Sequence, residues 1–168
     1  MPKITFIGAG SLGFFKTLMI DCLSFDSLRN ADWAIVDTDE KRLGYAERIA
    51  KRIMGEAKST GTLQVSNDRR EVLEGSDYVI MAILVGGYKP IEHDVDIPMK
   101  YGVDQCIADT HGPGGLFRAL RTIPVKVDIA QDIMELCPSA WVLNYTNPMS
   151  MLRRAMTLET GVNLVGLC

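Results

Sequence analysis

A doubly wound, mainly parallel α/β sheet, as one domain over residues 1–168, is the fold class predicted for this chain of 168 residues. Three observations predict it. The chain opens with a β-branched and aromatic run, Ile4-Thr5-Phe6-Ile7, that turns through Gly8-Ala9-Gly10-Ser11-Leu12-Gly13 straight into an apolar helical pattern. Apolar segments of strand length then alternate with helical periodicities to the last residue. The longest of them, Tyr78 to Val85, is continuously apolar, as in a strand covered on both faces. Alternation of this kind is the mark of a parallel sheet with helices on both sides.

The opening turn reads G-x-G-x-x-G between a strand and a helix, which is the dinucleotide-binding fingerprint. Gly8 permits the tight turn, Gly10 lets the backbone approach a pyrophosphate, and Gly13 lets the helix pack close to the sheet. Ser11 and Leu12 stand at the helix N-terminus, whose free N–H groups and positive dipole end favour phosphates. Leu12, Phe15, Leu18, Met19, Cys22 and Leu23 form one helical stripe. Ala34-Ile35-Val36-Asp37 is a second buried strand ending in an acid. Asp37 lies 24 residues beyond Gly13, close to the separation of a ribose-binding carboxylate. No arginine follows Asp37 immediately, which favours NAD over NADP. The plainer alternative is a glycine-rich turn followed by an N-cap aspartate, Asp37 or Asp39.

Composition narrows the classes. Hydrophobic residues make up 47% and charged residues 23%, ordinary for a globular protein with a full core. The net charge of −3, with no basic block, argues against nucleic acid as a partner. No apolar run reaches membrane-span length, and Met-Pro-Lys runs at once into a strand, so no membrane anchor or signal peptide is expected. Cys22, Cys106, Cys137 and Cys168 are widely spaced, without a Cys-x-x-Cys pair, as in a reduced, cytoplasmic chain.

In order along the chain, residues 39–57 predict an amphipathic helix begun by Asp39 and Glu40. Leu63 to Val65 predicts a third strand, Arg69 to Leu73 a short helix closed by Gly75, and Tyr78 to Val85 the fourth strand, ending in Gly86-Gly87. Ligands of open α/β sheets sit beyond the carboxyl ends of the strands, so Gly86 is placed against the cofactor. Pro90 to Tyr101 is mixed, with Pro98 breaking any long helix. Gln105 to Asp109 predicts a fifth strand, and His111 to Gly115 a loop. A helix follows to about Cys137, kinked or divided at Pro124. Trp141 to Tyr145 predicts a sixth strand. Asn147 then stands at the N-cap and Pro148 at N1 of a helix that Gly161 ends. Leu164 to Cys168 begins a seventh strand.

Five segments follow predicted strands and converge on one end of the sheet: Gly8 to Gly13, Val85-Gly86-Gly87, Asp109 to Gly115, Asn144-Tyr145-Thr146-Asn147-Pro148, and Val165 to Cys168. With Gly-Pro-Gly-Gly-Leu-Phe-Arg-Ala-Leu-Arg-Thr-Ile-Pro from Gly112 to Pro124, they resemble glycoside hydrolase family four, the NAD-dependent α-galactosidases and α-glucosidases, over the whole chain. The likeness is greatest to the melibiase branch. The family departs from two-carboxylate glycosidases. The resemblance implies a redox route, in which NAD takes a hydride at the sugar C3, a base removes the C2 hydrogen, and the C1 substituent is eliminated before water adds back. A divalent metal, usually Mn²⁺, would polarise the sugar oxygens. It implies a sugar contact for Asn147, a base-tuning role for Asp109, and a metal ligand in Cys168. The partner histidine and the tyrosine base would lie beyond residue 168, as would the rest of a homo-oligomeric enzyme. This chain alone is therefore expected to bind NAD but not to cleave glycosides. His93 and His111 receive no catalytic role, and Tyr88-Lys89-Pro90-Ile91 lacks the arginine that the α-glucosidase branch carries after its Gly-Gly pair. Two other readings remain: a lactate/malate-type dehydrogenase, which would need a catalytic histidine with an aspartate partner, and a non-catalytic NAD-binding module.

Overall fold

The computed structural model describes residues 1–167. Six parallel strands form one sheet in the order β3-β2-β1-β4-β5-β6. They are β1 (Lys3–Ile7), β2 (Asp32–Val36), β3 (Leu63–Ser66), β4 (Tyr78–Met81), β5 (Trp141–Asn144) and β6 (Leu164–Gly166), alternating with α1 (Leu12–Ser24), α2 (Glu40–Glu56), α3 (Arg70–Leu73), α4 (Lys89–Met99), α5 (Gly112–Leu136) and α6 (Met149–Thr160). The chain winds outward from β1 to β3, then restarts at β4 on the other side of β1. The direction of winding reverses between β1 and β4, and that reversal opens a crevice at their carboxyl ends. The predicted doubly wound, Rossmann-like sheet is therefore present.

The period-two alternation of each strand sorts its side chains between two cores. Ile4, Phe6, Trp33, Ile35 and Ile80 face one way, onto Phe15, Met19 and Leu23 of α1 and Leu43, Ala46, Ala50 and Ile53 of α2. Ile7, Val79, Met81 and Val142 face the other, onto Ile129, Ala130 and Ile133 of α5 and Met156 of α6. Phe6 and Phe15 meet edge to face, with ring centroids 5.2 Å apart, an arrangement that adds about 0.5–1.5 kcal/mol beyond area burial. α2 starts as its sequence predicts, with the Asp39 carboxylate accepting from the Arg42 N–H at 3.0 Å.

Several expectations are corrected. Gly112 to Gly115 are the first turn of α5, not a loop, and Lys89–Met99 is one helix, with Pro98 in its last turn, where little helix follows for it to break. β4 stops at Met81 because its neighbour β1 ends at Ile7; the Ala82 N–H takes the last β1 carbonyl, and the Ile83 N–H turns to the Thr146 hydroxyl instead. Gln105 to Asp109 is not a strand. The Gln105 side chain accepts from the Gly114 N–H and donates to the Asp94 carbonyl, tying the segment to α4 and α5, and Ala108 takes φ +59°. The sheet has no place for it, since β5 already pairs with β4. Pro124 does not divide α5, which is one helix from Gly112 to Leu136. At α6 the N-cap position is held by Pro148, after a cis Asn147–Pro148 peptide, and the Asn147 side chain does not cap the helix.

Candidate functional site

A cleft of about 930 Å³ runs along the carboxyl ends of the strands, across the point where the winding reverses. The glycine turn forms one wall. Gly8 has φ +95°, and a Cβ there would lie 2.3 Å from the Ala82 carbonyl oxygen, so the turn is open only to glycine. At Gly10 a Cβ would lie 2.6 Å from the Asp37 carboxylate. The expected approach of a ligand to Gly10 is thus preceded by an internal one. Asp37, at the end of β2, accepts from the Gly10 N–H at 2.6 Å and from the Asp39 N–H at 2.9 Å. Arg42 reaches back from α2 to donate to the Gly10 carbonyl at 3.0 Å.

Gly8, Gly10, Ser11, Asp37 and Gly86, the residues expected to contact a cofactor, all line this cleft. Leu12 and Gly13 line an adjoining hollow of about 410 Å³ with Arg42, Tyr45 and Tyr88. The role expected of Gly13 is corrected. Nothing lies within 4 Å of a Cβ built on it, so it does not bring the helix close to the sheet. Ser11 stands at the N-cap without bonding through its side chain, which leaves the first-turn amides of α1 for a partner outside the helix.

Across the cleft from this turn, Asp109 and Asn147 meet. Asn147 Nδ2 donates to Asp109 Oδ2 at 3.1 Å, although the two residues are 38 positions apart. The other carboxylate oxygen accepts from the Thr110 hydroxyl at 2.9 Å. Arg118, on the first turns of α5, brings its guanidinium to 3.7 Å from Asp109 Oδ2 and also lines the cleft. Asn147 Oδ1 is buried and has no hydrogen-bond partner among the described residues. A carboxamide with its N–H₂ side held and its oxygen unpaired is set to accept one bond from something that enters the cleft.

Below this pair lies a buried network that the sequence reading missed. Lys126 is fully buried on α5, and its Nζ donates to Asn144 Oδ1 at 2.8 Å. Asn144 Oδ1 also accepts from the Thr146 N–H at 3.2 Å, and Asn144 Nδ2 donates to the Thr146 carbonyl at 3.0 Å. Burial without a counter-ion pushes the Lys126 amine down to about 7. Tyr145 lines the cleft between these groups, its ring packed near Phe14 and its phenol pushed up by burial, with Cys22 and Asp21 adding to the rise. The helical periodicity of α5 marked Lys126 as a position among apolar neighbours, which was the one available signal.

His93 is exposed on α4 and His111 is exposed at the start of α5. Cys168, the expected metal ligand, lies outside the described residues. Among the described residues no group of three or more His, Cys, Asp or Glu side chains comes together to hold a metal. Cys22, Cys106 and Cys137 are free thiols. No helix among the described residues is long and apolar enough to cross a membrane.

These features agree with comparisons to known proteins. The model of the family described as "Family 4 glycosyl hydrolase" matches residues 3–168. The α-galactosidase of Bacillus subtilis (strain 168) is 47% identical over 169 residues, covering 100% of this chain and 39% of that protein. The α-galacturonidase of Thermoanaerobacter italicus is 42% identical over 149 residues, covering 89% of this chain and 32% of that one. The 6-phospho-β-glucosidase of Thermotoga maritima, solved with manganese, NAD⁺ and glucose-6-phosphate, superposes with a TM-score of 0.85 at 25% identity, over 99% of this chain and 40% of that structure. The chain thus spans less than two fifths of the length of the curated relatives it matches here. With residues 3–168 matched by the family model, the chain belongs to the family 4 glycosyl hydrolases.

Proposed function

We propose that residues 1–168 form the NAD-binding domain of a glycosidase that works on α-galactosides or α-glucosides, and that the cleft holds cofactor and sugar together. The observation that carries this reading is the Asp109–Asn147 pair opening into the same cleft as the glycine turn and Asp37. The residues fit NAD. The Gly8–Gly10 turn is a close-packed cradle that a Cβ would fill, and the first turn of α1 offers unpaired amides to a pyrophosphate. Asp37 would exchange its bond to the Gly10 N–H for the ribose hydroxyls, freeing that amide as well. Gly86 borders the remaining length of the groove. When bound, NAD supplies a reversible hydride acceptor for the sugar and is regenerated within each turnover.

The chain's own residues then bind and orient. Asn147 Oδ1 accepts a sugar hydroxyl, because its other side is already taken by Asp109. Arg118, 3.7 Å from the Asp109 carboxylate, helps hold it in place, and Asp109 in turn fixes the carboxamide. Ile83, Val125 and Ile129 line the groove between the two polar ends and keep it apolar there. The described residues do not by themselves fit a Mn²⁺ centre; Cys168 is the residue that family resemblance assigns to it. A reducing, cytoplasmic setting and a homo-oligomeric complete enzyme belong to the same proposal, with no part for nucleic acid or membrane.

The test is a calorimetric titration of this chain with NAD and with NADP, followed by galactose, glucose or galacturonate added to the NAD complex while the Asn147 side-chain amide is watched by NMR. NAD should bind in preference to NADP, and one sugar should move the Asn147 signal. Absence of NAD binding by the folded chain would sink the cofactor assignment. NAD binding with no response of Asn147 to any sugar would leave a nucleotide-binding module and remove the glycoside.

A further inference from the structure

Lys126 is out of place by any measure of burial alone. Its side chain is fully enclosed, it has no carboxylate partner among the described residues, and its hydrogen bond goes to a neutral amide oxygen. A methionine would fill that space at less free-energy cost, because a desolvated amine without a counter-ion is expensive. Violations of this kind, where sequence and packing disagree, concentrate at functional sites. The position supports the same view. Asn144 ends β5 and is followed directly by Tyr145, Thr146 and Asn147, which form part of the cleft wall.

The bonding pattern shows what the amine does. Lys126 Nζ donates to Asn144 Oδ1, and as an ammonium it has no acceptor to offer, so it holds the oxygen end of the carboxamide toward itself. With Oδ1 turned to Lys126, the same oxygen accepts from the Thr146 N–H and Nδ2 reaches the Thr146 carbonyl. A carboxamide flipped by half a turn would set Nδ2 against both donors and lose all three bonds. Thr146, so held, presents its hydroxyl to the Ile83 N–H at 3.1 Å and joins the ends of β4 and β5. The next residue is Asn147, bonded to Asp109. We infer that Lys126 is a positioning residue: it fixes the sense of the Asn144 carboxamide, which holds Thr146 and so aims Asn147 at Asp109 and the cleft. This deepens the proposed function, on which the ligand of Asn147 rests, but the positioning itself concerns this chain alone.

The experiment compares the chain with Lys126→Met, which keeps the length of the side chain and removes the donor. Asn144 Oδ1 keeps its bond from Thr146, so no acceptor is orphaned. The variant should fold, melt at the same or a higher temperature, and bind NAD within about twofold of the parent, since Lys126 does not line the cofactor groove. In the same protein the Asn147 side-chain amide protons should shift toward free-amide values and exchange roughly tenfold faster or more, as for a group that opens locally. A residue that only builds the core would do the reverse, lowering the melting temperature with no selective effect on Asn147. Unchanged Asn147 signals in folded Lys126→Met would overturn the inference. If that variant does not fold, Lys126→Gln, whose shorter side chain reaches Asn144 less well, is measured instead; a shifted, faster-exchanging Asn147 amide in the folded chain supports the inference, and an Asn147 signal indistinguishable from the parent overturns it. No sugar is added, so the result stands apart from the identity of the substrate.

Discussion

The two halves of the sheet are built on different principles. The β3-β2-β1 half, with α1 and α2, buries almost nothing but apolar side chains; its buried polar residue is Thr5, paired at 2.6 Å with Ser76 near the start of β4. The β4-β5-β6 half buries Asp94, Thr122, Lys126, Asp132, Asn144 and Thr146. Asp94 is clasped by Arg121, and Asp132 is bridged by Arg69 and Arg70 from α3. Under the proposed function, the first half has only to present a turn and an acid to a cofactor of constant shape. The second has to hold a carboxylate, a carboxamide and a guanidinium in register, and polar groups held at depth need partners at depth. The first half thus carries the glycine turn and Asp37 on an almost wholly apolar core, and the second holds Asp109, Asn147 and Arg118 above buried polar groups, at a cost in stability.

The sharpest way to break the contrast is at the seam. Gly8→Val would place a Cβ against the Ala82 carbonyl at a backbone angle that branched residues do not adopt. Both halves meet there, so the loss should exceed about 4 kcal/mol, the range reserved for the worst single substitutions. Urea unfolding measures it, and near-parental stability would mean that the turn yields.

Arg121→Met asks whether the second half depends on its ion pairs. It leaves the Asp94 carboxylate, 2% exposed, without its guanidinium. A buried charge abandoned in this way costs about 3–5 kcal/mol. The double variant Arg121→Met with Asp94→Leu should recover most of it, since removing both partners of a buried pair is far gentler than removing one. Equal destabilisation by single and double variants would deny the pair that role.

Asp37→Ala tests the first half as a cofactor scaffold. It should leave the apolar core intact and weaken NAD by about 1.5–3 kcal/mol, the value of a hydrogen bond to a charged group, while narrowing the preference over NADP. Titration with both nucleotides reads this directly. An unchanged preference would move the discrimination to another residue, with Arg42 beside Asp37 the first to examine.

The last test is the dependence of stability on pH, which changes by at most about 1.4 kcal/mol for each unit. The Lys126 amine sits at about 7 in the folded chain against 10.5 for a solvated lysine. Below pH 7 both states carry the charge and the folded one bears the whole burial cost. Between pH 7 and 10.5 the unfolded state holds the extra proton, so stability rises with pH, by at most about 1.4 kcal/mol per unit. Cys137 opposes this higher up. Burial pushes its thiol to about 11 from 9.0, so above pH 9 the unfolded state loses a proton that the folded state keeps, and stability falls. Unfolding midpoints at pH 7, 8 and 9 should therefore climb, and Lys126→Met should flatten the climb. A flat parental profile would place the amine in contact with water.

What the sequence determined by itself was local. Period-two and period-3.6 patterns located the strands and most helices, since each depends on which face of a short segment is apolar. The Gly8–Gly13 turn, Asp37 at a strand end and the Gly112–Pro124 run were legible because neighbours in the chain are neighbours in space there. Only the tertiary structure decided where β4 ends, because a strand stops where its partner's ladder stops, and β1 lies some seventy residues away in the chain. Likewise the apolar look of Gln105 to Asp109 could not reveal that β5 occupies the place beside β4, and Pro148 could not reveal that Asn147 turns from its own helix to Asp109. Arg118, Lys126 and Asn144 acquire their roles from partners on other elements. A hydrogen bond is chosen by geometry in the folded chain, where residues far apart in sequence compete for the same donor, and no periodicity along the sequence records that competition.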